Sequence, residues 1–330
     1  KRSQMSQTSS STTAKVTIDL VLKVGGSCLT DKSGREQLRQ DGLDRLAELA
    51  TAIEAVKVDD DVDDGNAGYV QRRRRLRWVL LHGAGSFGHP HATDARLTDG
   101  IDARQLAKLS PVELQQRRLG FCDTRRAVQD LAGRVAACLV KAGIPVTVLS
   151  PCSHFSDVTD FVGSHCPPGL VDRISDLLQA GFVPALHGDA VLALDRDATD
   201  ETIIGWSVLG GDALAAKLAE SFDLRRAVFV TSSGGVFSQD PATAPPGMAH
   251  LLPEIRLGGG SSQDVAGVGG AAPGVSDVTG GMRGKLAAAV RLLKASPNTV
   301  VRVCGWESAL AACLDTCGGD GSCGTRVLSE

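Results

Sequence analysis

The 330-residue chain carries no CxxC pair, no net basic charge and no apolar run near the ~20 residues that a bilayer-crossing helix needs. Each absence closes a class. Nine cysteines, scattered from Cys28 to Cys323 without paired spacing, give no structural zinc signature. Reduced thiols in a cytoplasmic setting are the expectation, and no residue is assigned to a metal. A formal net charge of −3 supplies no field to attract nucleic acid. The one basic block, Arg72 to Arg75 with Arg77, follows the acidic run Asp59 to Asp64, and the two read as a solvated loop whose charges compensate each other. Residues 1–15 are rich in Ser, Thr and Gln, lack a hydrophobic signal core, and read as a disordered leader. Neither a GxSxG elbow nor the HRD and DFG elements of protein kinases occur. DVTGGMRGK, Asp277 to Lys285, is no Walker A loop, because Thr279 stands where that loop needs its first glycine.

What is present has an ordinary globular balance, 42% hydrophobic and 22% charged. Short apolar runs alternate with longer amphipathic ones, the pattern of a parallel sheet covered by helices. Strands are expected at Val16 to Val24, Trp78 to Leu81, Pro145 to Leu149, Phe182 to Leu186, Ala227 to Thr231 and Thr299 to Val303. Helices are expected at Asp44 to Val56, from Pro111 toward Lys141, and at Gly169 to Ala180, Asp212 to Glu220 and Gly284 to Lys294. The Gly/Ser/Ala-rich stretch from Gly258 to Gly274 reads as a surface loop, an inert insertion or a lid.

Four glycine-rich turns close predicted strands, where open α/β sheets bind ligands. In KVGGSCLTDK, Lys23 and Lys32 flank Gly25, Gly26 and Ser27, a plausible clamp on a transferring phosphoryl group. Cys28 inside it reads as a small packing residue. HGAGSFGHPHA, His82 to Ala92, holds GxGxxG, which by itself allows a Rossmann oxidoreductase. The proline that follows at once argues against a smooth helix there, and His89 is placed to bind a phosphate. His82 and His91 read as structural. In LHGDAV and GGDALA, Asp189 and Asp212 are candidates for a buried aspartate between two lysines, Asp212 also for an N-cap. Finally TSSGGVFSQDP, Thr231 to Pro241, precedes DVTGGMRGK, whose Gly280, Gly281 and Gly284 before Lys285 suit a helix N-terminus that takes anions.

In this order the segments resemble the amino acid kinase superfamily and, within it, the isopentenyl phosphate kinases, from about Leu20 to Val327. HGAGSFGH is the discriminating turn, because its histidine is shared with isopentenyl phosphate and fosfomycin kinases. The resemblance implies a three-layer α/β/α sandwich with a mainly parallel sheet of about eight strands. It implies one domain over 16–330, with an acceptor-binding lobe at about 16–200 and a nucleotide-binding lobe at about 201–330. ATP, Mg²⁺, an alkyl phosphate substrate and a homodimer are implied with it. So are the roles: Lys23, Lys32, His89, Asp212 and Lys285 catalytic; Gly25, Gly26, Ser27, Ala84, Thr231, Ser232, Gly280 and Gly281 at ATP, with Lys23 and Lys285; Gly83, Gly88, His89 and Gly188 at the acceptor. The hydrocarbon pocket is expected from the stretch Ala92 to Phe161. One departure stands out: relatives carry a TDxDGVY-like turn where this chain has Thr231-Ser232-Ser233-Gly234-Gly235-Val236-Phe237. A phosphonate kinase of the same fold and a non-catalytic nucleotide-binding regulator are the alternatives.

Overall fold

The computed structural model describes residues 16–63, 69–97, 108–155, 166–194, 204–239, 241, 244–257, 281–317 and 322–329. In chain order the elements are β1 (Thr17–Ile18), β2 (Leu20–Val24), α1 (Gly26–Leu29), α2 (Gln40–Ala55), β3 (Lys57–Asp63), β4 (Tyr69–Arg75), β5 (Trp78–His82), α3 (Gly85–Asp94) and α4 (Pro111–Lys141). There follow β6 (Val146–Leu149), α5 (Pro168–Gln179), β7 (Val183–His187), β8 (Asp189–Leu194), β9 (Ile204–Leu209), α6 (Gly211–Ser221), β10 (Asp223–Leu224) and β11 (Arg226–Val230). Last come β12 (Glu254–Leu257), α7 (Gly281–Ala295), β13 (Val300–Cys304), α8 (Trp306–Leu314) and β14 (Thr325–Ser329). The expected α4 is met end to end, opened by Pro111 and a Ser110–Glu113 capping box.

The main sheet has eight strands in the order β12-β14-β13-β11-β2-β5-β7-β6, parallel except where β13 meets β14. Strand alternation sorts the core into two layers. Leu20, Leu22 and Val24 of β2 pack with α2, α4 and α8, whereas Val21 faces the side of α5, α6 and α7. Lys23 follows the parity of Val21, so a strand that is otherwise wholly apolar sends one ammonium toward α6. The register makes Val24, His82 and His187 neighbours, and Val24, Val230 and Cys304 likewise. The carboxyl ends of five strands are therefore level, and the turns that leave them share one edge.

Three expectations need correction. The charged segment after α2 is no loop: β3 and β4 pair as an antiparallel hairpin. Its charges are partly structural, since buried Asp19 receives Arg74 Nη1 at 2.5 Å, Nη2 at 3.1 Å and the Arg77 amide at 2.8 Å. Arg74 Nε also reaches Asp60 at 2.7 Å. Asp19 also splits the expected first strand into β1 and β2. Thiols are not uniformly reduced either, because Cys317, just after α8, is joined to Cys323, just before β14. The glycine-rich stretch 258–274 lies outside the described residues.

Arg74→Ala strands most of a buried carboxylate's charge, so a loss of about 3 kcal/mol is expected in urea unfolding. Arg225 remains 3.3 Å from Asp19 as partial compensation. An unchanged midpoint would show that the hairpin is not anchored this way.

Candidate active site

At the level edge the turns after β2 and β5 pack backbone to backbone. A Cβ on Gly26 would lie 2.4 Å from the Gly85 nitrogen, and one on Gly83 would lie 2.6 Å from the Gly26 nitrogen. Only glycine allows that approach. Gly85 also adopts φ +51°, while Ala84 sits at φ −73°, where a methyl group is unstrained. Beside these turns lies a cavity of about 770 Å³. Gly25, Gly26, Ser27, Gly83, Ala84, Gly88 and Gly188 all line it.

Three charges converge there. Lys23 Nζ lies 2.6 Å from Asp212 Oδ1, and Lys285 Nζ lies 3.5 Å from Asp212 Oδ2. Burial alone would push the Asp212 carboxyl up, but the two lysines together hold it below its usual range. Burial pushes Lys23 down, Lys285 adds to that, and Asp212 opposes both. Two ammoniums against one carboxylate leave an excess positive charge beside the N-terminus of α6, where no side chain caps the helix among the described residues, a setting built for anions. Asp189, the other aspartate considered for this role, is not between lysines. Ser150 Oγ (2.8 Å) and the Cys152 amide (3.2 Å) donate to it, and Arg125 Nε lies 3.4 Å away.

Lys32 is exposed at the rim, on a loop held by α3. Pro90 does not end that helix, contrary to the sequence expectation: α3 runs through it to Asp94. Proline has no N–H to give the Ser86 carbonyl, and the Glu36 amide donates to it instead at 3.1 Å. His91 joins the same clamp, with Nδ1 2.6 Å from Asp123 and Nε2 2.9 Å from Glu36, so it is structural as expected. His89, half-buried, lines the cavity.

On the opposite wall Thr231 and Lys285 line the cavity, whereas Ser232 stands outside it with its Oγ 3.0 Å from Ser27 Oγ. Gly281 opens α7 without reaching the cavity, and its carbonyl accepts a 3.5 Å bond from Lys285. Gly280 lies outside the described residues. Cys28 is buried and its thiol is pushed up to about 11, chiefly by burial, as suits a packing residue. Of the stretch expected to build the hydrocarbon pocket, Ala92, Thr93, Asp94, Thr124 and Val128 line the cavity. Val208 of β9 and Arg291 of α7 were not anticipated. Behind this wall, Trp206 and Phe121 pack with ring centroids 6.1 Å apart.

Among the described residues no group of three or more His, Cys, Asp or Glu could hold a metal ion. The cavity's carboxylates are already committed: Asp212 to two lysines, Asp189 to Ser150 and Arg125, Asp94 to Arg35. These residues do not fit a protein-held Mg²⁺.

A level row of glycine turns with paired lysines at the edge of a parallel sheet is the frame of a phosphoryl-transfer protein, and the model of the amino acid kinase family matches residues 20–303. The chain belongs to the amino acid kinase family. It is similar to the isopentenyl phosphate kinase of Methanothermobacter thermautotrophicus, 31% identical over 268 residues, which is 81% of this chain and 84% of that one. The isopentenyl phosphate kinase of Arabidopsis thaliana is 28% identical over 73% of this chain and 71% of its own. A solved isopentenyl phosphate kinase structure superposes with TM-score 0.64 at 25% identity, over 93% of this chain and 99% of that one. The expected fold is therefore met.

Proposed function

We propose that this protein is an ATP-dependent kinase that converts isopentenyl phosphate to isopentenyl diphosphate. The observation that carries this is the meeting, in one cavity, of the Lys23–Asp212–Lys285 group, His89 and two interlocked glycine turns. Relatives of that name across most of the chain support it.

The acceptor's phosphate oxygen is already a nucleophile, so no strong base is required. It attacks the γ-phosphorus, the bond to the β,γ-bridging oxygen breaks, and ADP leaves. The obstacle is bringing two anions together. Lys23, Lys32 and Lys285 offset that repulsion in this reading, with Asp212 holding two of them in place. Gly25, Gly26, Ser27, Ala84, Thr231, Ser232, Gly280 and Gly281 serve the ATP side; Gly83, Gly88, His89 and Gly188 serve the acceptor. Mg²⁺ would travel on the nucleotide's own phosphates. Ala92, Val128 and Val208 offer the apolar wall that a five-carbon tail needs. The division into an acceptor lobe (about 16–200) and a nucleotide lobe (about 201–330), a homodimer and a cytoplasmic setting belong to the same reading. Among the described residues no helix is long and apolar enough to cross a membrane.

The test is turnover of ATP with isopentenyl phosphate, and with a phosphonate in parallel. His89→Ala is expected to lower kcat/KM for isopentenyl phosphate about 100-fold, the scale of one lost oxyanion donor, while ATP binding stays within twofold. Equal activity in both proteins would remove the histidine's role. Transfer to the phosphonate alone would replace the acceptor.

A further inference from the structure

The two histidines that precede the acceptor-side glycines lie behind the cavity. His82 and His187 end adjacent parallel strands and are register partners. They are 1% and 0% exposed, with rings stacked at 5.8 Å between centroids. The Nδ1 of His82 lies 3.2 Å from the Gly83 carbonyl oxygen, and that of His187 lies 3.0 Å from the Gly188 carbonyl oxygen. A carbonyl oxygen only accepts, so each Nδ1 carries the proton and donates. A third bond, from the Gly188 amide to the His82 carbonyl at 3.0 Å, ties the two turns to each other. His187 Nε2 is buried without a hydrogen-bond partner among the described residues, so that ring works through Nδ1 alone.

The consequence follows from peptide planarity. A trans peptide points its C=O and the next N–H in opposite directions. Holding the Gly83 oxygen toward the protein interior turns the Ala84 N–H the other way. The space a Cβ on Gly188 would fill lies 3.7 Å from the Ala84 nitrogen and 3.8 Å from the Gly211 nitrogen. Neither amide has a main-chain acceptor among the described residues. Gly188, Ala84 and Gly211 all line the cavity.

We propose that His82 and His187 are positioning residues: their Nδ1–H groups hold the Gly83 and Gly188 carbonyls inward, so that the Ala84 N–H, with that of Gly211 beside Gly188, faces the acceptor's phosphate. The proposal deepens the kinase reading, moves the Ala84 N–H from the ATP side to the acceptor's phosphate, and rests on that reading for the identity of the acceptor. An apolar side chain would fill the same space, so what the site gains from histidine is the donor. Burial, with the neighbouring ring, pushes His82 down to about 3, which keeps the ring uncharged and makes acid–base chemistry there unavailable.

Asparagine and glutamine separate donor from bulk. The asparagine amide nitrogen falls where Nδ1 stands, and the glutamine nitrogen falls near Nε2. His82→Gln and His82→Phe are expected to raise KM for isopentenyl phosphate about tenfold, the scale of one lost hydrogen bond. KM for ATP should stay within twofold. His82→Asn should recover acceptor KM to within about threefold of wild type, and the same order should hold at His187. Titration with inorganic phosphate by calorimetry should rank the variants likewise. Asn and Gln variants that lose acceptor and phosphate affinity equally, or losses in both substrates that follow the melting temperature, would overturn the proposal. A wild-type protein that binds phosphate but transfers nothing to isopentenyl phosphate would overturn the acceptor assignment alone, and the phosphate series would then decide the histidines' role.

Discussion

Asp212→Ala is expected to lower kcat at least about a thousandfold while the protein still folds. The carboxylate sits between Lys23 and Lys285, all three largely buried. Removing one partner of such a group leaves an uncompensated charge in a poor solvent, which costs about 3 kcal/mol or more of stability. Lys23 has a cheaper escape, which is to release its proton. Burial already pushes its pKa down, and Asp212 is the chief opposing influence. A neutral amine cannot neutralise a transferring phosphoryl group, so the chemical step loses a charge-assisted contact as well as its geometry. The sign of the pH effect follows. A lysine is charged below its pKa, so a lower pKa moves loss of charge to lower pH. The alkaline limb of kcat in Asp212→Ala should therefore shift toward acid relative to wild type, and residual activity should rise as pH falls. Asp212→Asn keeps the volume without the charge and should share the shifted limb. The N-cap role also considered for Asp212 falls to Gly210 instead, so a decrease under tenfold, with the limb in place, would show that Asp212 does not organise the two lysines for transfer.

Much of this arrangement was legible because strand ends and glycine turns are local signals. An apolar run bounded by Gly25-Gly26 or by His82-Gly83 can only be a buried strand meeting a tight turn, and the register then brings the turns level. Lys23 was visible as a strand lysine just before a glycine turn. What stayed hidden depends on long-range contacts. The hairpin β3–β4 has charges where a strand usually has alternating apolar residues, and it is held by Asp19, some fifty residues earlier, through Arg74. Pro90 looks like a helix breaker until the Glu36 amide takes up the carbonyl it leaves free. Asp189 and Asp212 stand in equally suggestive motifs, and only the spatial neighbours, Ser150 for one and two lysines for the other, separate them. The wall of the cavity mixes Thr124 and Val128 from one helix with Val208 from a distant strand, a combination with no period in sequence.

Gly26→Ala is expected to reduce kcat/KM roughly 300-fold, although it adds one methyl group to a turn that carries no side-chain chemistry. The added Cβ would lie 2.4 Å from the Gly85 nitrogen and 2.6 Å from its Cα. Both are backbone atoms in a turn already committed to φ +51°, so no flexible side chain can give way. Ordinary contact would need the two turns to separate by about 1 Å, and a misplacement of that size costs about 100-fold in a reaction that depends on alignment. The displaced turns also carry backbone N–H groups proposed to stabilise the transferring group, which accounts for the rest. Gly133→Ala on α4 is the control, since a Cβ there meets nothing within 4 Å. It should leave kcat/KM within twofold and add up to about 1 kcal/mol of helix stability. Steady-state kinetics and melting curves on the two variants separate a general intolerance of the methyl group from a local one. If Gly26→Ala stays within threefold of wild type, the two turns are not the rigid, interlocked cradle on which the proposed transfer depends.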